Sequence, residues 1–284
     1  SGDACDSACR TESAIAEIEA NGSFAEADAV AIALGSGSET VSGAISPVAD
    51  LDTYRLVLAA DSVVRFETFD GSGADCTGGM TTTLRLFDAA QTQLYTDTTS
   101  GIASCSAIVA RLVAGTYYVR VEETGNNAAI AAYRLQVKVQ ADTGSESETN
   151  ETLATADRFV GSDVYVFGGH QVNSDLDTFV ITVPAGRSLR AEVIEGSTAE
   201  TCESGGIDSR LRMFNAAGVD LGNDDDDGRG ACSLIDGTGT VPAALDGFAR
   251  NLAGGTYYLR VESFAPTGTT AAGQFDYRLV VTIR

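Results

Sequence analysis

Two short segments of the sequence carry the same three oxygen-bearing side chains at the same spacing, Glu-x-Glu-x-Asn. They are Glu17, Glu19 and Asn21 in the first segment and Glu146, Glu148 and Asn150 in the second. Residues at i, i+2 and i+4 share one face only when the backbone is extended, with neighbours about 6.6–6.8 Å apart. Two carboxylates and an amide oxygen form the hard, anionic ligand set that Ca²⁺ prefers. The spacing therefore predicts a calcium site in each segment.

Further acids follow each segment, at the start of the next predicted strand. They are Asp50 and Asp52 after the first segment and Asp175 and Asp177 after the second. Their carboxylates could complete a calcium coordination shell. The alternative is a solvated acidic linker, with Asn21-Gly22 as a simple turn. Recurrence of the same spacing in both places favours calcium.

The two segments occupy matching places in an internal repeat. Later matches are "DLDTYRL" with "DLDTFVI", "LRLF" with "LRMF", and "AGTYYVRVE" with "GGTYYLRVE". Their offset runs from 125 to 140 residues, which is too long for a solenoid unit and predicts tandem homologous domains. We expect an arm over 1–12, one domain over 13–140 and a second over 141–284, with a linker in the polar stretch "QADTGSESE".

Apolar residues alternate with a period of two within each repeat, as in Tyr54, Leu56 and Leu58 or Tyr257, Leu259 and Val261. Such one-sided alternation predicts antiparallel sheets packed face to face, an all-β chain of two β-sandwiches. The intervening Arg120 and Glu122 are expected to face water. Residues 11–20, "TESAIAEIEA", are rich in helix formers and predict a short helix ending at Asn21-Gly22, so the N-terminal arm is expected to be helical or extended.

Four of the six cysteines occupy the same two places in each repeat. Cys76 matches Cys202 and Cys105 matches Cys232, which favours one disulfide per domain, Cys76 to Cys105 and Cys202 to Cys232. Cys5 and Cys9 could bridge locally or reach another chain. Buried free thiols and a zinc site are the alternatives, but a lone Cys-x3-Cys and a single histidine fit zinc poorly. Disulfides imply an oxidising, extracytoplasmic compartment.

Taken in order, these motifs resemble the bacterial pre-peptidase C-terminal domain, a relative of the collagen-binding domains of bacterial collagenases. The resemblance covers nearly the whole chain as two copies, and "GTYYVRVE" is its most specific part. It implies a secreted, jelly-roll-like sandwich without catalytic activity, appended to a peptidase or another secreted enzyme. In the collagen-binding relatives the segment before the first strand holds calcium, which implies a set of ligands here: Glu17, Glu19, Asn21, Asp52, Glu146, Glu148, Asn150 and Asp177. Family members often carry Asp directly after the Asn, whereas this chain has Gly22 and Glu151.

Two other groups are weaker candidate sites. Residues 224–227 are four consecutive aspartates that could form a further calcium loop, but such a charge run is more often solvated. His170 is the sole histidine, has no counterpart in the first repeat and lies in a predicted loop, so we expect no catalytic role for it.

Composition excludes some partners and favours a role at the cell exterior. With 40 acidic and 18 basic residues the net charge is −22, which repels nucleic acid and anionic membranes. We expect an extracellular or cell-surface protein from which a secretion signal has been removed. Its expected function is non-enzymatic: a structural or adhesive subunit that binds copies of itself, forming a fibre or surface layer, or binds a matrix or surface ligand. The alternative is a substrate-targeting accessory region of a secreted peptidase or other hydrolase.

Overall fold

Short alternating segments form β-strands throughout the described chain. The computed structural model describes residues 14–30, 37–73, 76, 79–142, 144–172, 174–195, 202, 207–239, 246–264 and 274–284. The chain divides into Ser1–Asp142, called unit 1, and Thr143–Arg284, called unit 2. The predicted arm over 1–12, with Cys5 and Cys9, lies outside the described residues.

Unit 1 is a sandwich of two five-stranded sheets. Its strands are β1 (Ile15–Ala16), β2 (Asp28–Val30), β3 (Gly37–Ile45), β4 (Leu51–Leu58), β5 (Ser62–Asp70), β6 (Thr82–Phe87), β7 (Gln93–Asp97), β8 (Ala107–Leu112), β9 (Gly115–Glu123) and β10 (Ile130–Ala141). One sheet has the order β1-β3-β10-β5-β8 and the other β2-β4-β9-β6-β7. From β3 to β6, and again from β7 to β10, each strand lies in the opposite sheet to the one before it, the jelly-roll-like arrangement that was expected.

Unit 2 repeats this architecture. Its strands are β11 (Asp157–Arg158), β12 (Asp163–Gly169), β13 (Leu176–Val183), β14 (Leu189–Glu195), β15 (Ser209–Asn215), β16 (Asp220–Asp224), β17 (Leu234–Asp236), β18 (Gly255–Ser263) and β19 (Asp276–Ile283). The sheets have the orders β12-β19-β14-β17 and β11-β13-β18-β15-β16. The long strands pair antiparallel, whereas the short strands β1, β2 and β11 pair parallel to β3, β4 and β13.

Period-two alternation places the predicted apolar faces in the cores. In unit 1, Leu56 and Val119 from one sheet belong to the same buried cluster as Phe66 and Leu135 from the other. In unit 2, Leu259 is 1% exposed and its alternation partner Val261 is fully buried. The expected all-β sandwich is therefore what the chain forms, because each sheet buries one apolar face against the other.

Two local expectations were wrong. Residues 14–20 form no helix, since Ile15 and Ala16 pair with Val41 and Ser42 of β3 and the chain then stays irregular. Tertiary pairing overrides the helix propensity of this segment. Glu122 does not face water either, because it is 7% exposed and accepts a hydrogen bond from the Nε of Arg85 on the neighbouring strand β6.

Each unit contains one of the expected disulfides. Cys76 joins Cys105 and Cys202 joins Cys232, and the loops so closed have sequence separations of 29 and 30 residues. Loops of this length stabilise a domain by roughly 3–4 kcal/mol in the chain-entropy model. No helix among the described residues is long and apolar enough to cross a membrane.

Candidate metal centre

The segment that carries Glu17, Glu19 and Asn21 is held against both sheets of unit 1. The backbone N–H of Glu17 donates to Ser42 of β3 at 3.0 Å, and the carbonyl of Asn21 accepts from Thr53 of β4 at 3.1 Å. The segment thus crosses from one sheet to the other at the edge of the sandwich. This path brings its side chains towards Asp52, which points inward from β4.

Three carboxylates converge at this crossing. One oxygen from each of Glu17, Glu19 and Asp52 lies within 4.8 Å of the other two. Asp52 is fully buried, Glu17 is half-buried and Glu19 is exposed, so the group reaches from the interior to the surface. A cation could therefore enter from solvent and still contact a buried carboxylate.

Two tyrosines hold the inner carboxylates in place. Tyr133 of β10 donates its hydroxyl to Asp52 Oδ2 at 2.6 Å, and Tyr54 of β4 donates to Glu17 Oε2 at 3.0 Å. The two hydroxyls are 2.5 Å apart. The backbone N–H of Ala44 donates to the other oxygen of Glu17 at 2.7 Å. These bonds fix the orientation of both carboxylates and leave Asp52 Oδ1 available to a further partner.

The free oxygens are buried and have no hydrogen-bond donor. Within the described residues, Asn21 Oδ1 and Asp52 Oδ1 have no hydrogen-bond partner, although both residues are fully buried. A buried polar atom left unpaired costs roughly 1–3 kcal/mol, and more when it is charged. Burial, outweighing the hydrogen bond from Tyr133 and reinforced by Glu17, raises the pKa of Asp52 to about 8. A bound cation would satisfy both oxygens and lower this pKa again.

Unit 2 builds the same centre from its own residues. One oxygen from each of Glu146, Glu148 and Asp177 lies within 4.8 Å of the others. Tyr277 donates to Asp177 Oδ2 at 2.6 Å and to Glu146 Oε2 at 2.9 Å. The carbonyl of Asn150 accepts from Thr178 of β13 at 3.1 Å, as that of Asn21 does from Thr53 in unit 1.

The unpaired oxygens recur in unit 2 as well. Asn150 Oδ1 and Asp177 Oδ1 lack a hydrogen-bond partner in the described part of the chain, and both residues are fully buried. Burial, opposed by the hydrogen bond from Tyr277, raises the pKa of Asp177 to about 9. In both units the ligand set of three carboxylates and one amide oxygen has the chemistry that Ca²⁺ prefers. The carboxylates predicted from the sequence thus converge in each unit.

A glycine on the strand facing each tyrosine was missed by the sequence analysis. Gly43 of β3 pairs with Tyr133, and Gly168 of β12 pairs with Tyr277. A Cβ at either glycine would collide with the facing tyrosine and with the carboxylate of Glu17 or Glu146. The repeat offset of 125 residues between the two glycines was the available signal.

The burial of His170 and its contact with Asp177 were also not predicted from the sequence. His170 follows β12 as expected of a loop residue, but it is buried, stacks on Phe275 at 4.7 Å and places Nε2 3.3 Å from Asp177 Oδ2. Burial lowers the pKa of His170 despite the nearby acidic groups. At the equivalent place unit 1 has the apolar Ile45, while Tyr54 in unit 1 is replaced by Phe179 in unit 2.

The aspartate run over 224–227 forms a looser group. Asp224, Asp226 and Asp227 have oxygens within 4.8 Å of one another, and the latter two are exposed. Asp224 Oδ1 already accepts the backbone N–H groups of Leu234 at 2.7 Å and Asp227 at 3.2 Å. The run therefore has a turn-stabilising role, and its geometry gives no separate indication of a ligand.

Comparisons with known proteins give structural likenesses only. No family model matches the chain, and no curated protein matches it. The pre-peptidase C-terminal domain of collagenase from Bacillus anthracis is 18% identical over 40% of this chain and 95% of its own, with a TM-score of 0.32. The PBSX exported protein XepA is 12% identical, covering 87% of this chain and 86% of its own, with a TM-score of 0.28. A chain of Sulfolobus Turreted Icosahedral Virus is 9% identical, covering 87% and 90%, also with a TM-score of 0.28. At these scores the likenesses do not bear on what this chain binds.

Proposed function

We propose that this chain is a non-catalytic, calcium-binding extracellular protein that works through its surfaces, with a calcium site in each of two units that resemble pre-peptidase C-terminal domains. The supporting observation is the buried pair of oxygens, one amide and one carboxylate, that lacks a hydrogen-bond partner among the described residues of both units. A chance arrangement of surface acids would not repeat this buried detail.

Calcium would supply the positive charge that lets the converging carboxylates stay ionised and buried together. Glu17 and Glu19 belong to the N-terminal segment, whereas Asp52 belongs to the sandwich. Their joint coordination would tie the segment to the sheet edge, adding to the few backbone hydrogen bonds that hold it now. In unit 2, Glu146, Glu148 and Asp177 would do the same.

An extracellular location is supported by the two disulfides, which persist in oxidising compartments. Surface-mediated function is supported by two features. Large apolar side chains are exposed, such as Ile18 at 72% and Val160 at 79%. Edge strands such as β7 and β8 in unit 1 offer backbone groups to another chain. The proposed partners are other copies of this chain or a ligand on a cell surface or matrix.

Calcium binding is tested by isothermal titration of the calcium-free chain with calcium chloride. We expect saturable binding and a rise in the thermal unfolding temperature, both lost in the double variant Asp52→Asn, Asp177→Asn. The double variant should fold, because each substitution removes a buried charge and keeps an oxygen that can accept from the tyrosine. Equal binding by the variant and the parent would contradict the proposed sites, and a parent chain without calcium binding would refute them.

Self-assembly is tested separately, by electron microscopy of the purified chain with calcium and with a chelator. Ordered polymers that disperse on chelation would support a structural subunit whose contacts depend on the calcium-bound segments. Single particles under both conditions would reject assembly, and direct the search to matrix and surface ligands.

A further inference from the structure

Among their acidic residues, the two candidate calcium sites differ at one position, directly after the shared asparagine. Unit 2 has Glu151 there, and unit 1 has Gly22. The other acidic members recur in both units, as Glu17 and Glu146, Glu19 and Glu148, Asp50 and Asp175, and Asp52 and Asp177. Unit 2 therefore has one more carboxylate available to a cation than unit 1.

Glu151 belongs to the ligand cluster itself. One oxygen from each of Glu148, Glu151 and Asp175 lies within 4.8 Å of the other two. Glu148 also belongs to the group formed with Glu146 and Asp177, so the two groups are joined through a shared residue. The cluster of unit 2 is thus a continuous set of five carboxylates.

Unit 1 has a smaller carboxylate group among its described residues. Gly22 has no side-chain oxygen, and the described part of unit 1 contains the group of Glu17, Glu19 and Asp52 without a counterpart of the second group. Asp50 is present and accepts backbone N–H groups with both oxygens, just as Asp175 does in unit 2. Among the carboxylates, the residue after the asparagine is therefore what separates the two sites.

The unit 2 cluster therefore contains five carboxylates, whereas the unit 1 group contains three. Calcium affinity rises with the number of charged ligands, so the larger set favours the cation more.

A second observation separates the unit 2 cluster from an ordinary acidic surface. Asn150, directly before Glu151, is fully buried, and its Oδ1 has no hydrogen-bond partner among the described residues. Asp177 Oδ1 is in the same condition. A buried oxygen that needs a partner thus belongs to the cluster, that of Asp177, and a second is on the residue before Glu151, which surface acids alone would not explain.

We propose that the two calcium sites have unequal affinities, with the unit 2 site filling at a lower calcium concentration because Glu151 supplies a carboxylate where unit 1 has Gly22. The inference rests on the proposed calcium-binding function. Over an intermediate range of calcium concentration, unit 2 is loaded while the N-terminal segment of unit 1 is not yet fastened. The chain then responds to calcium in two steps.

Single-site variants of the full chain measure each affinity by isothermal titration with calcium chloride. Asp52→Asn retains the unit 2 site, and Asp177→Asn retains the unit 1 site. We expect the Asp52→Asn chain to bind calcium at least about tenfold more tightly than the Asp177→Asn chain, since one ligand charge separates them.

Substitutions at Glu151 and Gly22 test whether this position causes the difference in calcium affinity. In the Asp52→Asn chain, Glu151→Gln should weaken binding by about tenfold. In the Asp177→Asn chain, Gly22→Glu should tighten it. A Cβ at Gly22 would lie 3.1 Å from the carbonyl oxygen of Leu51, so a small backbone shift accompanies this variant and thermal unfolding must show that it folds.

Asp88→Asn is the matched charge control. It removes one negative charge from a turn of unit 1, and the equivalent residue in unit 2 is already an asparagine, Asn215. The calcium affinities should therefore be unchanged. Equal affinities of the two single-site chains, or no effect of Glu151→Gln, would overturn the inequality while leaving calcium binding intact. Folded single-site chains that bind no calcium would instead refute the proposed function.

Discussion

Replacing Asp177 by asparagine should stabilise the calcium-free protein and remove the stabilisation that calcium gives to unit 2. Burial raises the pKa of Asp177 to about 9 from an ordinary value of 3.8. Because the folded-state pKa is the higher one, stability is full below about pH 4 and is lost as pH rises through about 9. The asparagine side chain has no charge, so the variant lacks this loss.

The magnitude follows from linkage. Between pH 3.8 and pH 7 the loss extends over roughly three pH units at about 1.4 kcal/mol each, so the variant gains up to about 4 kcal/mol at pH 7 without calcium. Calcium at a hundred times its dissociation constant would stabilise the wild-type unit by about 2.7 kcal/mol and the variant not at all. Calcium should therefore narrow the stability difference between the variant and wild type from up to about 4 kcal/mol to roughly 1 kcal/mol.

The assay is urea unfolding followed by tyrosine fluorescence, from pH 4 to pH 9, with a chelator or with calcium. The chain has no tryptophan, so tyrosine reports on both units. Asp220→Asn is the control in the same unit, since its 2.9 Å pair with Arg212 is partly exposed and should contribute at most about 1 kcal/mol. A variant that is less stable than wild type without calcium at pH 7, or that loses stability with pH as wild type does, would refute the reasoning.

Three further predictions concern the architecture around the site. Gly168→Ala should destabilise unit 2 by about 1–3 kcal/mol and weaken its calcium binding, because the methyl group meets the Tyr277 ring and the Glu146 carboxylate. Gly247→Ala is the matched control, since a Cβ there meets no atom within 4 Å and the backbone φ is not left-handed. Burial opposes ionisation of Glu192, but Arg229 and Arg190 outweigh it and lower its pKa to about 2, so this stabilisation is present above about pH 4.5 and is lost towards pH 2. Arg229→Ala should lower the free energy of unfolding by about 3 kcal/mol at neutral pH and weaken the loss of stability towards pH 2, measured by urea titration. An unchanged loss of stability at acidic pH would contradict the role assigned to Arg229. Removing the Cys202–Cys232 bridge, in the double variant Cys202→Ser, Cys232→Ser, should lower the free energy of unfolding of unit 2 by about 3–4 kcal/mol relative to wild type. An unchanged urea midpoint would indicate that the loop is already constrained without the bridge.

The strands and the acidic segments were predictable because they depend on local patterns. Alternation placed Tyr54, Leu56 and Leu58 in the core, and all three are buried. The expected helix was wrong over residues 14–20, because the pairing of Ile15 with Val41 lies outside the information in local propensity. His170 appeared isolated in the sequence, yet the fold brings it to Asp177.

Contacts between residues far apart along the chain could not be read from spacing. Tyr133 donates to Asp52 across 81 residues, and Tyr277 to Asp177 across 100. Each contact depends on the register of β10 against β3 or of β19 against β12, with a glycine opposite the tyrosine. Register follows from the packing of both sheets together, so no single segment specifies it.

The sequence by itself determined the internal repeat, the all-β class, the cysteines available for one bridge per unit and the recurring Glu-x-Glu-x-Asn segments, since all of these are properties of composition and spacing. Tertiary structure alone decided which acids are buried: Asp52 points between the sheets, while Asp50, two residues earlier on the chain, stays at the rim and accepts backbone N–H groups. It also decided that the Asn21 and Asp52 oxygens are buried without a donor among the described residues. Burial removes the water that would otherwise satisfy these atoms, and this is the physical reason that an acidic segment becomes a candidate calcium site.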